Sequence, residues 1–474
     1  MRKPSLILLL LPLTLAAEEA DEVEIEYPEP PADDGTVSST GEETGALIPE
    51  LELSAYIEAD LRHRTEPPET FTYNENDIGL KLRTVWDVAD AEASLRLRGT
   101  GFTSAGELAE LTRRGVLDPW ELELNTAYVN LYGVPLAPLD ISFGRREIGW
   151  GVGDELRVFN EVNPGDYRDP LSFGDKLGVE TLMLTAWFSP TWRLEGVFVP
   201  TFTPARLPAD LSLITPEIEL EEGLWLSELN MNVATPEQSL AQAAQYGARL
   251  KGGLGPVDLE LAYHYGRDYL PVPTDVTLTP TIDPEAPEWT LPVIVDVTGS
   301  FPRRHLVGAS FAADVADIGL WGEVAAYIYP EEITQIIHTI LGDTSEPLYP
   351  AKPYFKWLGG IDYSLGGWYA QLQYLHGFYS ERGAHEQSDL FMLALEKGLF
   401  YEKLILRVAG AYEIPDFDTV DEHWGLAVIP EIEYKPLEQI SLTLGGRWLE
   451  GDGVSNLTLL EHEDVVYLKL RVDL

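Results

Sequence analysis

The chain of 474 residues carries 79 acidic against 32 basic side chains, a formal net charge of -47, and no cysteine. A surface this negative repels phosphate backbones and excludes nucleic acid as a partner. The lack of thiols excludes disulfides, thiolate metal sites and lipid attachment through cysteine. Apolar residues make up 45%, enough to fold. A mean hydropathy of -0.08, with no apolar run of about 20 residues past the N-terminus, excludes a bundle of spanning helices.

The first residues, Met1-Arg2-Lys3, the apolar stretch Leu6 to Leu15 and the small pair Ala16-Ala17, have the layout of a secretory signal peptide over 1–17. Residues 18–50 are rich in Asp and Glu, lack Lys and Arg, and contain Tyr27-Pro28-Glu29-Pro30-Pro31. Such a segment buries too little surface to fold and reads as a disordered periplasmic stretch.

From residue 51 to 474 the pattern alternates. Leu51, Leu53, Ala55, Ile57, Ala59 and Leu61 interleave with Glu52, Ser54, Tyr56, Glu58, Asp60 and Arg62. Period two over a dozen residues predicts a strand with one apolar and one polar face. The same signal predicts strands at 78–86, 91–98, 120–132, 139–147, 178–188, 192–200, 246–252, 257–265, 304–314, 318–329, 353–365, 368–377, 389–398, 403–412, 423–434, 441–450 and 465–474, eighteen in all with the first.

The connections alternate too. Gaps at 87–90, 133–138, 189–191, 253–256, 315–317, 366–367, 399–402 and 435–439 are short. Those at 63–77, 99–119, 148–177, 201–245, 266–303 and 330–352 are long. Short turns on one side and long loops on the other are the signature of an antiparallel up-and-down transmembrane β-barrel of 16–18 strands in a bacterial outer membrane. Aromatic residues support this: Trp86, Trp192, Trp368, Tyr369, Phe400, Tyr401 and Tyr434 fall near the periplasmic strand ends. Trp120, Tyr263, Tyr265, Tyr327, Tyr354, Trp357, Tyr412, Trp424 and Trp448 fall near the outer ends, as two girdles require. Three outer loops carry helix-like patterns: a capping signal at Ser104 to Glu107, an Ala/Gln-rich run at Pro236 to Gln245, and a stripe of Ile333, Ile336, Ile337 and Ile340 over Glu331 to Leu341.

The most distinctive stretch is Phe143-Gly144-Arg145-Arg146-Glu147-Ile148-Gly149-Trp150-Gly151-Val152-Gly153-Asp154, followed by Asn163-Pro164-Gly165-Asp166-Tyr167-Arg168-Asp169-Pro170. Its Gly-Arg, Trp-Gly and Asn-Pro-x-Asp-x-Arg elements resemble a loop of porin-like outer-membrane barrels of Gram-negative bacteria. The likeness covers 143–170 and implies a strand end followed by a loop folded against the inner wall. Barrels of this kind finish with an aromatic residue, whereas this sequence finishes with Leu474; the departure bears on how the barrel assembly machinery reads the last strand. Glycines permit sharp backbone paths, and Arg145, Arg146, Arg157 and Arg168 are available to pair with Glu147, Asp154, Asp166 and Asp169. The stretch 148–177 is therefore expected to narrow the lumen, or else to be a salt-bridged loop with no solute contact.

Closing the barrel places a second group together. The polar faces of the first three and last two strands supply Arg62, Lys81, Arg83, Arg96, Arg98, Arg447, Lys469 and Arg471 to one inner wall. Glu52, Glu58, Asp60 and Glu92 lie close enough to neutralise part of it. The expectation is a basic pore wall that biases ion selectivity, the alternative being ion pairing that only stiffens the wall. Eight histidines fall at outer loops and strand ends without helical metal spacing, and Ser380, Ser388 and Asp389 near His385 form no recognisable catalytic set.

These readings converge on a channel for passive diffusion of small solutes, with no cofactor and no enzymatic activity. Its expected partners are outer-membrane lipid and the assembly machinery, and its expected state is monomer or trimer. Two alternatives stay open: a hydrolase acting at the outer rim, and a structural or adhesive barrel with a sealed lumen.

Overall fold

The computed structural model describes residues 50–474 apart from 68, 155, 169–173, 209–222, 284, 288, 384–386 and 461–462. The segments read as signal peptide and acidic stretch lie outside the described residues, save Glu50, which already opens the first strand.

The first strands are β1 (Glu50–Arg64), β2 (Phe71–Trp86), β3 (Ala89–Thr100), β4 (Trp120–Leu131), β5 (Leu139–Arg146), β6 (Val179–Trp187), β7 (Arg193–Val199) and β8 (Leu224–Ala234). There follow β9 (Gln245–Leu254), β10 (Val257–Arg267), β11 (Val272–Pro280), β12 (Leu291–Ser300), β13 (Arg303–Val315), β14 (Ile318–Ile328), β15 (Ile333–Thr339) and β16 (Gly342–Tyr349). The last are β17 (Tyr354–Leu365), β18 (Trp368–His376), β19 (Asp389–Leu399), β20 (Leu404–Ile414), β21 (Trp424–Leu437), β22 (Ile440–Asp452) and β23 (Val465–Asp473).

Eighteen of these form one antiparallel sheet in which each strand pairs with the next barrel strand in the chain. The sheet closes where β1 pairs with β23, in register from Tyr56 opposite Asp473 to Arg64 opposite Val465. All eighteen match the alternating segments of the sequence. Closure removes the unpaired edges that a flat sheet would expose. The short turns obey local chemistry: Gly366 and Gly367 both take positive φ, as a two-residue hairpin turn requires.

The remaining strands, in the order β16-β15-β11-β12-β8, form a five-stranded sheet from three outer loops. These strands escaped the sequence reading. Glu331 to Leu341 is not a helix: its isoleucines build β15, which pairs with β16 from Ile333 opposite Tyr349 to Thr339 opposite Gly342. β-branched residues favour extended backbone where a partner strand is at hand. Pro236 to Gln245 is also not helical; its middle is a turn in which Ala243 N–H donates to the Ser239 carbonyl at 2.7 Å, and Gln245 starts β9. The capping signal lies one turn later than read, with Glu107 and Glu110 closing a box on a 3-10 turn at Leu108–Thr112. The first outer connection is shorter than read, since β2 begins at Phe71.

Candidate functional site

The loop between β5 and β6 builds the interior, and its own sequence explains its path. Asn163 is its clasp. Its Oδ1 accepts the Ile148 N–H at 2.8 Å, and its Nδ2 donates to the carbonyls of Arg146 at 3.0 Å and Leu177 at 2.8 Å. One carboxamide thus holds the start and the end of the loop together. Asn160 supports the same turn by accepting the Trp150 N–H at 3.1 Å.

From this clasp the loop reaches into the barrel and is latched by carboxylates of distant strands. Glu323 on β14 accepts N–H groups of Val152, of Gly153 at 2.6 Å and of Val158 at 2.8 Å. Glu260 on β10 accepts Gly151 N–H at 3.2 Å, and Arg249 on β9 donates to the Gly149 carbonyl at 2.7 Å. Gly151 has φ +90, and a Cβ there would run into the Glu323 carboxylate. Two aromatic rings wedge the loop against the wall: Trp150 lies on Gly247 and Phe159 on Gly308, where the absence of a side chain provides the seat. Both rings are fully buried.

The loop then ties into two other outer loops. Glu161 meets Arg304 at 2.5 Å, and Arg304 meets Asp268 at 2.6 Å. Asp268 also takes the Arg382 guanidinium at 3.1 Å and the Tyr329 hydroxyl at 2.6 Å. Burial by itself would raise the Asp268 carboxyl, but Arg304 and Arg382 outweigh it and hold the group below its ordinary range. Tyr167 and Tyr379 stack with ring centroids 4.7 Å apart, joining the loop to the one after β18. A further buried knot links Glu381, Ser388, Asn456 and Glu413, with Asn456 Nδ2 donating to Glu381 at 2.9 Å and to Glu413 at 2.6 Å.

Several of the residues singled out in the sequence meet one another in the structure. Arg168 pairs with Asp166 and with Glu123 of β4, beside Arg206, which reaches the same Glu123 at 2.6 Å. Arg62, Lys81, Arg83, Arg96, Arg98, Arg447, Lys469 and Arg471 do come together on the inner wall formed by β1–β3, β22 and β23. That wall is not basic on balance. Arg62 sits on Asp60, with Nη2 to Oδ2 at 2.6 Å; Lys81 faces Glu92 at 3.1 Å; and Arg83 lies between Glu52 at 3.8 Å and Asp90 at 3.9 Å. Arg96 and Arg98 share Glu75, and Arg96 also holds Asp77. Lys469 approaches Asp60 at 3.7 Å, and Arg471 approaches Glu58 at 3.3 Å. Arg447 is buried against the Glu463 carbonyl. The bases form a ladder with carboxylates between them. Beyond the acids expected from the sequence, Glu75, Asp77 and Asp90 face the same bases and complete the balance.

Other expected residues are displaced. Arg145 is not in the lumen: it shares the outward face with Phe143 and pairs with Glu180 at 2.9 Å. Arg146, one residue on, faces inward and meets Ser142 at 2.7 Å, Asn130 at 3.3 Å and the Tyr128 ring. Asp154 accepts from Gln371 of β18 at 2.9 Å rather than from an arginine. Asp169 and His385 lie outside the described residues. His376 pairs with Asp389 at 2.9 Å, but its second ring nitrogen faces Gln387, and the Ser388 hydroxyl donates to Glu381. No group of three or more potential metal ligands occurs among the described residues.

The outward faces settle the setting. Leu51, Leu53, Ile57 and Leu61 on β1, Leu182 and Leu184 on β6, and Leu442 and Leu444 on β22 stand exposed, while their neighbours in the chain turn inward. Exposed rings mark both rims: Trp86, Trp368, Phe400 and Tyr434 at the short turns, Phe71, Trp120, Tyr263 and Trp448 at the other end. Tyr327 and Tyr354, read as girdle residues, instead stack on each other inside. This is an outer-membrane β-barrel. An apolar band between two aromatic girdles, around a polar interior, fits no aqueous setting.

No protein-family model matches the barrel, and no curated protein matches its sequence. Solved structures resemble it in fold. OpdK of Pseudomonas aeruginosa, solved with vanillate, is 10% identical over 90% of this chain and 98% of its own, with a TM-score of 0.48. OccAB3 of Acinetobacter baumannii is 9% identical over 90% and 98%, at 0.47. OccK2 (OpdF) of Pseudomonas aeruginosa, solved with glucuronate, is 10% identical over 90% and 97%, at 0.46.

Proposed function

We propose that the barrel is a porin-like channel through which small solutes diffuse passively, with residues 148–177 as its constriction. The observation that carries this reading is the latch. A loop entering from β5 and β6 is anchored by its backbone amides to Glu260 and Glu323 inside the barrel. An eighteen-stranded barrel encloses a lumen wide enough for water unless loops fill it, and a loop held at fixed depth sets its bore. The charge ladder on the opposite wall supplies polar contacts with no net sign, so each solute contact is weak and reversible.

A sealed, structural barrel is the second reading. The ion-pair knot Glu161–Arg304–Asp268–Arg382 and the Tyr167–Tyr379 stack favour it, since they join three loops inside the outer half. Purified protein in a planar bilayer separates the two. A channel gives conductance steps that grow when 152–168 is deleted. No steps from either protein, with the barrel folded, rejects the channel.

A further inference from the structure

The five-stranded sheet is separate from the barrel sheet, and only its near ends, at Val272 and Tyr349, join the buried core around the interior loop. β11 leaves the rim just beyond Arg267, and β15 runs parallel beside it with Thr277 opposite His338. β12 and β8 also run parallel, with Leu291 opposite Leu224. The ends of β11 and β15 and the beginnings of β12 and β8 therefore meet at one end of the sheet, the end away from the barrel. There Ile282, Trp289 and Leu341 are 93%, 96% and 94% exposed, with Ile340 and Trp225 beside them. Trp225 Nε1 donates to Asp283 at 3.2 Å, tying the start of β8 to the turn between β11 and β12. Clustered apolar groups held this far into water mark a contact surface rather than ordinary surface scatter.

The charge around them is acidic, the basic side chain among these strands being His338, which meets Asp343 at 2.9 Å and Asp275 at 3.8 Å. No Lys or Arg occurs in 207–248, 268–302 or 305–351, the stretches that contain all five strands. Asp283, Glu285, Asp343 and Glu346 flank the apolar tip in the chain. A second copy of this chain would bring the same acids and be repelled. A partner that matches both features carries apolar side chains and positive charge.

We propose that this distal end is a docking surface for a cationic, amphipathic polypeptide outside the cell. Aliphatic or aromatic side chains of the partner pack on Trp289, Ile282 and Leu341, and its Lys and Arg face the flanking carboxylates. The apolar contacts set how long the complex lasts, and the charges set how fast it forms.

Because the chain has no cysteine, Thr290→Cys provides a unique thiol for an environment-sensitive dye beside Trp289 in the full protein. The probes are a 14-residue Leu/Lys helical peptide, its Leu/Glu counterpart, and phosphatidylcholine vesicles. The Leu/Lys peptide is expected to shift the dye saturably, and the Leu/Glu peptide is not. Combining Ile282→Ser, Trp289→Ser and Leu341→Ser is expected to weaken binding at least tenfold. Asp343→Asn with Glu346→Gln is expected to slow association severalfold at low salt. Retained barrel mobility on unheated gels checks that each variant is folded. Equal binding by the serine variant reduces the effect to diffuse charge and overturns the proposal. A dye shift with vesicles instead of peptide, or on concentrating the protein alone, assigns the surface to lipid or to self-association and overturns it too.

Discussion

Val158 N–H donates to Glu323 Oε2 at 2.8 Å, across 165 residues of sequence. This bond and its companions at Val152 and Gly153 make one side chain the anchor of the interior loop. Glu323→Gln replaces one acceptor oxygen with a donor, so at least one buried N–H loses its partner. The expected cost is about 1–3 kcal/mol, seen as a lower unfolding temperature and as faster trypsin cleavage after Arg157. Cleavage at the parent rate rules out the latch.

Gly151 tests the same contact from the loop side. Gly151→Ala meets a backbone at φ +90 and drives a methyl group into the Glu323 carboxylate. Gly101, at φ +78, has open space around it, so Gly101→Ala carries the backbone strain alone, about 1–3 kcal/mol. Gly151→Ala is expected to destabilise more than Gly101→Ala in denaturant titrations, and equal effects would mean the loop shifts freely.

The charge ladder gives a selectivity test. Arg96→Glu places a third carboxylate beside Glu75 and Asp77, where the parent has near balance. The reversal potential in a salt gradient is expected to move toward cation preference by several millivolts, with the largest change at low salt, where screening is weakest. An unchanged potential places the permeation path elsewhere.

Leu95 and Ser94 separate the two faces of β3. Leu95→Arg puts a charge into lipid and is expected to cost about 2–4 kcal/mol if near the midplane. Ser94→Arg turns inward, toward Lys81 across the strand pair, and is expected to cost less. Refolding titrations from urea into detergent or lipid compare them; the reverse order would invert the barrel's faces.

Acid acts on the loop knot through Asp268. Its carboxyl is held below the ordinary value by Arg304 and Arg382 against the opposing effect of burial. A depressed folded-state value stabilises the fold above the unfolded pKa of about 3.9, and this is lost as pH falls through the folded value. Asp268→Asn is therefore expected to be less stable than the parent at pH 7. The gap is expected to narrow as the pH falls below about 4, followed by intrinsic fluorescence during thermal unfolding. A gap that stays constant with pH would mean the ion pairs at Asp268 do not contribute.

The eighteen barrel strands were legible because a wall between lipid and water imposes period two on every one of them. Within residues 148–177, the clasp residue Asn163 and the wedge Trp150 both fall inside the distinctive motif. Its partners Glu260 and Glu323 were not legible: each is one polar residue among alternating ones, more than a hundred positions away, and only closure brings them to the loop. Arg145 and Arg146 show the limit of composition. Neighbours in a strand face opposite ways, so a one-residue difference in phase sends one outward. β15 was misread because isoleucines at 333, 336, 337 and 340 suit either a helical stripe or a strand, and the choice is made by β16 and β11 lying alongside.

The joint between β1 and β23 carries a consequence for biogenesis. Its cross-links, such as Arg471 with Glu58, join positions 413 residues apart, while every other joint in the ring links barrel strands that follow one another in the chain. Hairpins therefore zip up one after another at low entropic cost, whereas the final joint waits for the whole ring to be in place. Until then two raw edges stand open in an environment that offers their amides no water. Mutations that weaken Glu58–Arg471 or Asp60–Lys469 should thus reveal themselves as slow or stalled maturation before they reveal themselves as loss of the finished protein.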